Sequence, residues 1–154
     1  TVNKRVGVIG TVGTVGSGIH EAYLKQLDPE ITVLGKACPL FVPLVEEGWL
    51  HDPVTTEVAS RYLQELKDKE IDTLILGCTH YPLIRSTIRE VMGESVRLVN
   101  PAYETALQLK SLLADIIDVS VDSLRFYYLG NKYATKVEQI GVDKGIAADD
   151  VLIV

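Results

Sequence analysis

Short apolar runs that alternate with longer amphipathic stretches constrain this chain more than any other feature of its sequence. The runs 5–9, 32–34, 73–76, 97–99, 124–129 and 151–154 read as strands. Several are rich in Val, Ile and Leu without polar alternation, the pattern of strands buried on both faces. Between them lie helical patterns over 19–27, 42–47, 55–69, 83–91, 103–117 and 133–140. The third carries Val58, Ala59, Tyr62, Leu63 and Leu66 at helical spacing after an Asp52-Pro53 start signal. Pro82 and Pro101 fall where a helix takes its first turn and tolerates a missing N–H. The alternation predicts an α/β fold, a parallel sheet flanked by helices. No internal repeat, low-complexity tract or Gly/Ser linker interrupts it, and 118–122 reads as a loop.

Composition limits the partners. At 154 residues, 47% hydrophobic and 23% charged, the chain suits one packed domain or one and a fraction, and lacks the signature of disorder. Lys and Arg number 15 against 21 Asp and Glu, a net charge of −6, and no basic run exceeds two residues. Nothing here offers an electrostatic footprint to nucleic acid or to an anionic membrane surface. The longest apolar stretches fall far short of the ~20 residues a membrane helix requires. The opening residues reach Gly7 too soon for a secretory signal. The chain therefore reads as cytoplasmic, with no nucleic acid and no membrane among its partners. Its two cysteines, Cys38 and Cys78, read as reduced thiols. It opens on Thr1 and runs straight into a strand, so it reads as a piece of something longer.

Three segments carry candidate chemistry. The Gly-rich stretch 10–18 follows the first strand and opens a helix. It fits neither G-x-G-x-x-G nor a Gly-Lys-Ser/Thr loop. What remains is a turn with two hydroxyls, Thr11 and Thr14, either binding a small carboxylate at the sheet's carboxyl end or serving as a helix cap. The second segment, Leu76-Gly77-Cys78-Thr79-His80-Tyr81-Pro82-Leu83, puts a thiol between a buried strand and a helix N-terminus, where the macrodipole favours thiolate. His80 can give or accept a proton there, and Thr79 adds a hydroxyl. Three plainer readings compete. Cys78 is a small buried hydrophobe, or it ligates zinc with His80, although His20, His51 and Cys38 do not supply paired-ligand spacing. In the third, Cys78 and His80 are a nucleophilic couple, for which the spacing shows no oriented third residue. The third segment, from Cys38-Pro39 through Pro43 to Glu46 and Glu47, reads as a loop leading into a short helix. Cys38 is most simply structural, and either Glu reaches the thiol site or stays solvated.

Together these motifs resemble the glutamate racemases of the aspartate/glutamate racemase superfamily. The resemblance rests on Gly10-Thr11-x-x-Thr14, on Cys38-Pro39-x-Phe41-Val42-Pro43-Leu44-x-Glu46, and above all on Gly77-Cys78-Thr79-His80-Tyr81-Pro82. It runs from Lys4 to the end, more loosely beyond Asn100. It implies a cofactor-independent isomerase that makes D-glutamate from L-glutamate for cell-wall peptidoglycan, commonly as a homodimer. Such a protein has two pseudo-symmetric α/β domains with the substrate between them and one acid/base cysteine from each. Carried over, Cys78 is one of those cysteines, His80 its acid/base neighbour and Glu46 a carboxylate supporting His80. Thr11, Thr14 and Thr79 bind substrate, and Cys38 matches no catalytic position. No metal and no cofactor is implied. Residues 4–99 correspond to the second domain, and residues 100–154 to the segment that returns to complete the first. The first half and its cysteine are missing, so the isolated chain is expected to be inactive as a racemase. An aspartate or broad-specificity racemase, or a non-catalytic binder of small carboxylates, is the alternative.

Overall fold

The computed structural model describes residues 1–113. The first buried run becomes β1 (Arg5–Gly10), followed by α1 (Val12–Gly16), α2 (Ile19–Leu27), β2 (Thr32–Ala37), α3 (Phe41–Glu46) and α4 (Pro53–Asp68). Then come β3 (Thr73–Gly77), a 3₁₀ turn (Tyr81–Ile84), α5 (Arg85–Met92), β4 (Arg97–Val99) and α6 (Pro101–Leu113). The strands form one parallel sheet in the order β2-β1-β3-β4, as the alternation predicts. Thr1–Ala106 make one compact unit. Among the described residues no helix is long and apolar enough to cross a membrane. The strands and helix expected over 124–129, 133–140 and 151–154, and the loop at 118–122, lie outside the described residues.

Strand register decides where the chain can put functional groups. Gly10 of β1 stands opposite Ala37 of β2 and Gly77 of β3, so three strands end level. The residues that follow, Thr11, Cys38 and Cys78, therefore leave the sheet along one carboxyl edge, the edge where open α/β sheets bind ligands.

One face of the sheet carries the main core. Ile9, Leu74 and Leu76 pack there with Phe41 and Val45 of α3, Ala59, Leu63 and Leu66 of α4, and Ile88 and Met92 of α5. Helix α4 forms as its sequence requires. Asp52 caps it by accepting from the Val54 amide at 2.8 Å, Pro53 occupies the first turn, and its apolar stripe is buried. Two buried hydroxyls tie down the connection that precedes it. Thr55 donates to the Trp49 carbonyl at 2.5 Å, and Thr87 of α5 donates to the Leu50 carbonyl at 2.9 Å.

Three local expectations are corrected. The Gly-rich stretch contains a short helix, α1, because Thr11 caps it by accepting from the Thr14 amide. Strand β2 runs on to Ala37, because β1 supplies partners for Gly35 and Lys36, and Lys36 reaches Glu65 of α4 at 2.7 Å. The helix expected over 83–91 is divided. Pro82 has no N–H to donate, so the chain first closes 3₁₀ bonds from Tyr81 to the Cys78 carbonyl and from Leu83 to the His80 carbonyl.

Cys38, just past β2, is fully buried, and burial pushes its thiol up to about 12 despite the opposing pull of Lys36. Burial likewise holds the Tyr81 phenol above its usual range. Both groups keep their protons in the folded chain at pH values where the unfolded chain loses them. The folded state then binds more protons, so stability falls as pH rises. Urea midpoints are expected to hold from neutrality to about pH 8.5, where an unfolded thiol titrates, and to fall steadily above it. A Cys38→Ala chain, compared with its own neutral midpoint, should lose the early part of that fall.

Candidate active site

The second motif builds the site at the end of β3. Gly77 brings β3 against β1 so closely that a Cβ there would stand 2.8 Å from the Ile9 carbonyl oxygen, which is backbone and cannot give way. The chain then turns, and Cys78, Thr79 and His80 occupy the bend before the 3₁₀ turn. Cys78 is half-buried at the margin of the core. Its Sγ lies 3.9 Å from His80 Nδ1, and Thr79 Oγ1 lies 3.4 Å from the same nitrogen. The other ring nitrogen, Nε2, is 3.5 Å from Glu46 Oε1. Thiol, imidazole and carboxylate thus stand in series. In the neutral ring, a carboxylate at that range favours the tautomer with its proton on Nε2.

Four of the residues singled out by sequence, Cys78, Thr79, His80 and Glu46, are brought together. Glu46, the last residue of α3, is the oriented third group that spacing alone does not reveal, and Glu47 is exposed beyond it. Thr11 and Thr14 form a separate pair at the end of β1, with their hydroxyl oxygens 2.9 Å apart. Register places Thr11 just past the end of the strand next to the one that Cys78 follows, since Gly10 stands opposite Gly77. The helix N-terminus expected directly beside the thiol is displaced, because the α-helical ladder of α5 begins only after the 3₁₀ turn. The imidazole is the group that the structure places within reach of the Cys78 sulfur. Among the described residues no cluster of three or more His, Cys, Asp or Glu side chains is placed to hold a metal ion.

Sequence reasoning passes over Tyr81. Its ring is fully buried and its hydroxyl donates to the Cys38 carbonyl at 2.9 Å, a partner far away in the chain. The adjoining Cys-Thr-His run is the signal that points to it.

An open parallel sheet with a thiol, an imidazole and a carboxylate in series on its carboxyl edge has the equipment of a proton-transfer site for small molecules. The family described as Asp/Glu/Hydantoin racemase matches residues 1–109, and the chain belongs to that family. The glutamate racemase of Thermoanaerobacter sp. (strain X514) is 47% identical over 135 residues, 86% of this chain and 51% of that protein. That of Oceanobacillus iheyensis is 51% identical over 114 residues, 73% of this chain and 42% of the relative. The fold also matches crystal structures. A glutamate racemase isoform from Bacillus anthracis superposes with a TM-score of 0.76 at 34% identity, covering 98% of this chain and 56% of that one. The Francisella tularensis glutamate racemase in complex with D-glutamate gives 0.73 at 33% identity, with coverage of 88% and 53%. The chain spans about half the length of the relatives it matches.

Two measurements check this geometry. A chromogenic thiol reagent at neutral pH should titrate one cysteine in the folded chain and two in urea. The fast one should vanish in Cys78→Ser, because thiol reactivity follows access and thiolate character. Thr11→Val, which removes the α1 cap, should lower stability by about 1 kcal/mol in a urea titration.

Proposed function

We propose that this chain carries one half of the acid/base machinery of a cofactor-independent glutamate racemase. The observation that supports the reading most is the series Glu46–His80–Cys78 in a member of this racemase family. In this reading the Cys78 thiolate removes, or its thiol returns, the α-proton of glutamate on one face. His80 exchanges a proton with the sulfur through Nδ1, and Glu46 balances the charge that develops on the ring. Thr11, Thr14 and Thr79 supply hydroxyl donors for the substrate's charged groups. The α-proton is a very weak acid, so such donors must meet the carbanion as it forms.

A two-base mechanism needs a second thiol on the opposite face of the substrate. Cys38 cannot serve, being buried with its pKa pushed up to about 12. The second base then belongs to a partner half-site. Residues 4–99 are the second domain of the enzyme in this reading, and 100–154 the segment that completes the first. The biological product is D-glutamate for peptidoglycan. An aspartate or broad-specificity racemase differs in substrate, and competition between aspartate and glutamate separates the two. The buried state of Cys38 also favours a second reading for the isolated chain, in which it binds small carboxylates without turnover.

The test is α-proton exchange of L- and D-glutamate in heavy water, followed by proton NMR with no cofactor added. We expect exchange confined to one isomer, without net inversion, and a loss of about 10²-fold or more in Cys78→Ser. Exchange that survives in Cys78→Ser removes Cys78 as the base. Net inversion by this chain alone removes the requirement for a second thiol. Saturable glutamate binding with no exchange of either isomer supports the carboxylate-binding reading instead.

A further inference from the structure

The carboxylate and the imidazole of the site arrive on separate loops. Glu46 ends α3, which follows β2, and His80 lies in the bend after β3. These two strands are not neighbours, since β1 lies between them. Helix α3 has only six residues and no side-chain cap, so its place is set by what its side chains and the segment before it touch. One side chain joins the two loops. Tyr81, next to His80, donates its buried hydroxyl to the carbonyl of Cys38, at the start of the segment that leads into α3. Its ring meets Phe41, the first residue of α3, edge to face, with centroids 5.2 Å apart and planes at 87°. Phe41 in turn meets Tyr62 of α4 at 5.5 Å in the same manner, which anchors the stack in the core.

A phenylalanine would fill the Tyr81 site with the same ring, and burying a phenol is unfavourable unless its hydroxyl is bonded. The hydroxyl therefore has a task that the ring does not perform. We propose that Tyr81 is a positioning residue: its hydrogen bond to the Cys38 carbonyl sets the reach between Glu46 and His80, and so decides which ring nitrogen of His80 carries the proton. With Glu46 opposite Nε2, the proton sits there, and Nδ1 presents its lone pair to the Cys78 thiol. If the carboxylate drifts, the tautomers become closer in energy and Nδ1 takes the proton part of the time. An Nδ1–H ring cannot accept a proton from sulfur. The proposal rests on the acid/base reading of the site, but its test does not depend on turnover.

The experiment reads the His80 tautomer directly, by long-range proton–nitrogen-15 NMR on the full chain, without glutamate, at a pH where the ring is neutral. In the unaltered chain the Nε2–H form should dominate. In Tyr81→Phe the ratio of Nε2–H to Nδ1–H should fall by about fivefold or more, the equilibrium equivalent of one ordinary hydrogen bond. Glu46→Gln should produce a fall of its own, and adding Tyr81→Phe to it should change nothing further, because both act through one contact. Thr73→Val removes a buried hydroxyl at the far end of β3, where Thr73 donates to Asp72, and should leave the ratio unaltered. An unaltered chain with Nδ1–H dominant overturns the proposal before any variant is made. So does a Tyr81→Phe chain with the original ratio, or a Thr73→Val chain whose ratio falls as far. Because exchange activity is measured separately, a correct tautomer response in a chain that shows no exchange would leave the positioning role standing and the isolated chain a carboxylate binder without turnover.

Discussion

Three strands that end at the same level organise this protein. Because Gly10, Ala37 and Gly77 lie opposite one another, the next residue of each strand leaves the sheet along one rim. That rim receives the capping hydroxyl of Thr11, the thiol of Cys78 and, through the short helix beyond Cys38, the carboxylate of Glu46. The buried face below, with Ile9, Leu74 and Leu76 against α3, α4 and α5, holds the strands to that register. A slip of one residue would turn every one of these side chains to the other face of the sheet, exchanging core for surface. Site geometry and core packing are thus one constraint seen from two sides.

The two cysteines show how much depends on what lies over a strand end. Each follows the last residue of a strand, one on either side of β1. Cys38 is buried in the core and serves Tyr81 as a hydrogen-bond acceptor through its backbone carbonyl. Cys78 sits where the chain bends, with Gly77 behind it and His80 across it, and remains partly open to solvent. The difference in chemistry is a difference in cover, not in residue type or in place along the strand.

Much of this architecture is legible in the sequence because its signals are local. Strands buried on both faces announce themselves as apolar runs, α4 by its stripe and its Asp52-Pro53 start, and the contact between Cys78 and His80 by their nearness in the chain. Helix α1 is built from Val, Gly and Thr, which are poor helix formers, and exists through the local Thr11 cap. The other parts that resist reading depend on partners distant in sequence. The length of β2 is set by β1 and by a salt bridge to α4. Neither the choice of Glu46 over Glu47 nor the bond from Tyr81 to the Cys38 carbonyl has any mark in a local pattern. The resemblance to glutamate racemases names Glu46, and the path of α3 explains why it is that residue.

The hydroxyls of Thr11 and Thr14, bonded to each other at the end of β1, have a bearing on selectivity. A molecule that binds this pair must exchange one hydrogen bond for another and gains only the difference. A neutral acceptor such as a ketone or an amide offers a bond of similar strength and so little net advantage. An ionised oxygen offers a charge-assisted bond roughly twice as strong as a neutral one. If the pair binds substrate as proposed, it acts as a threshold, passing over neutral polar molecules and answering to anions.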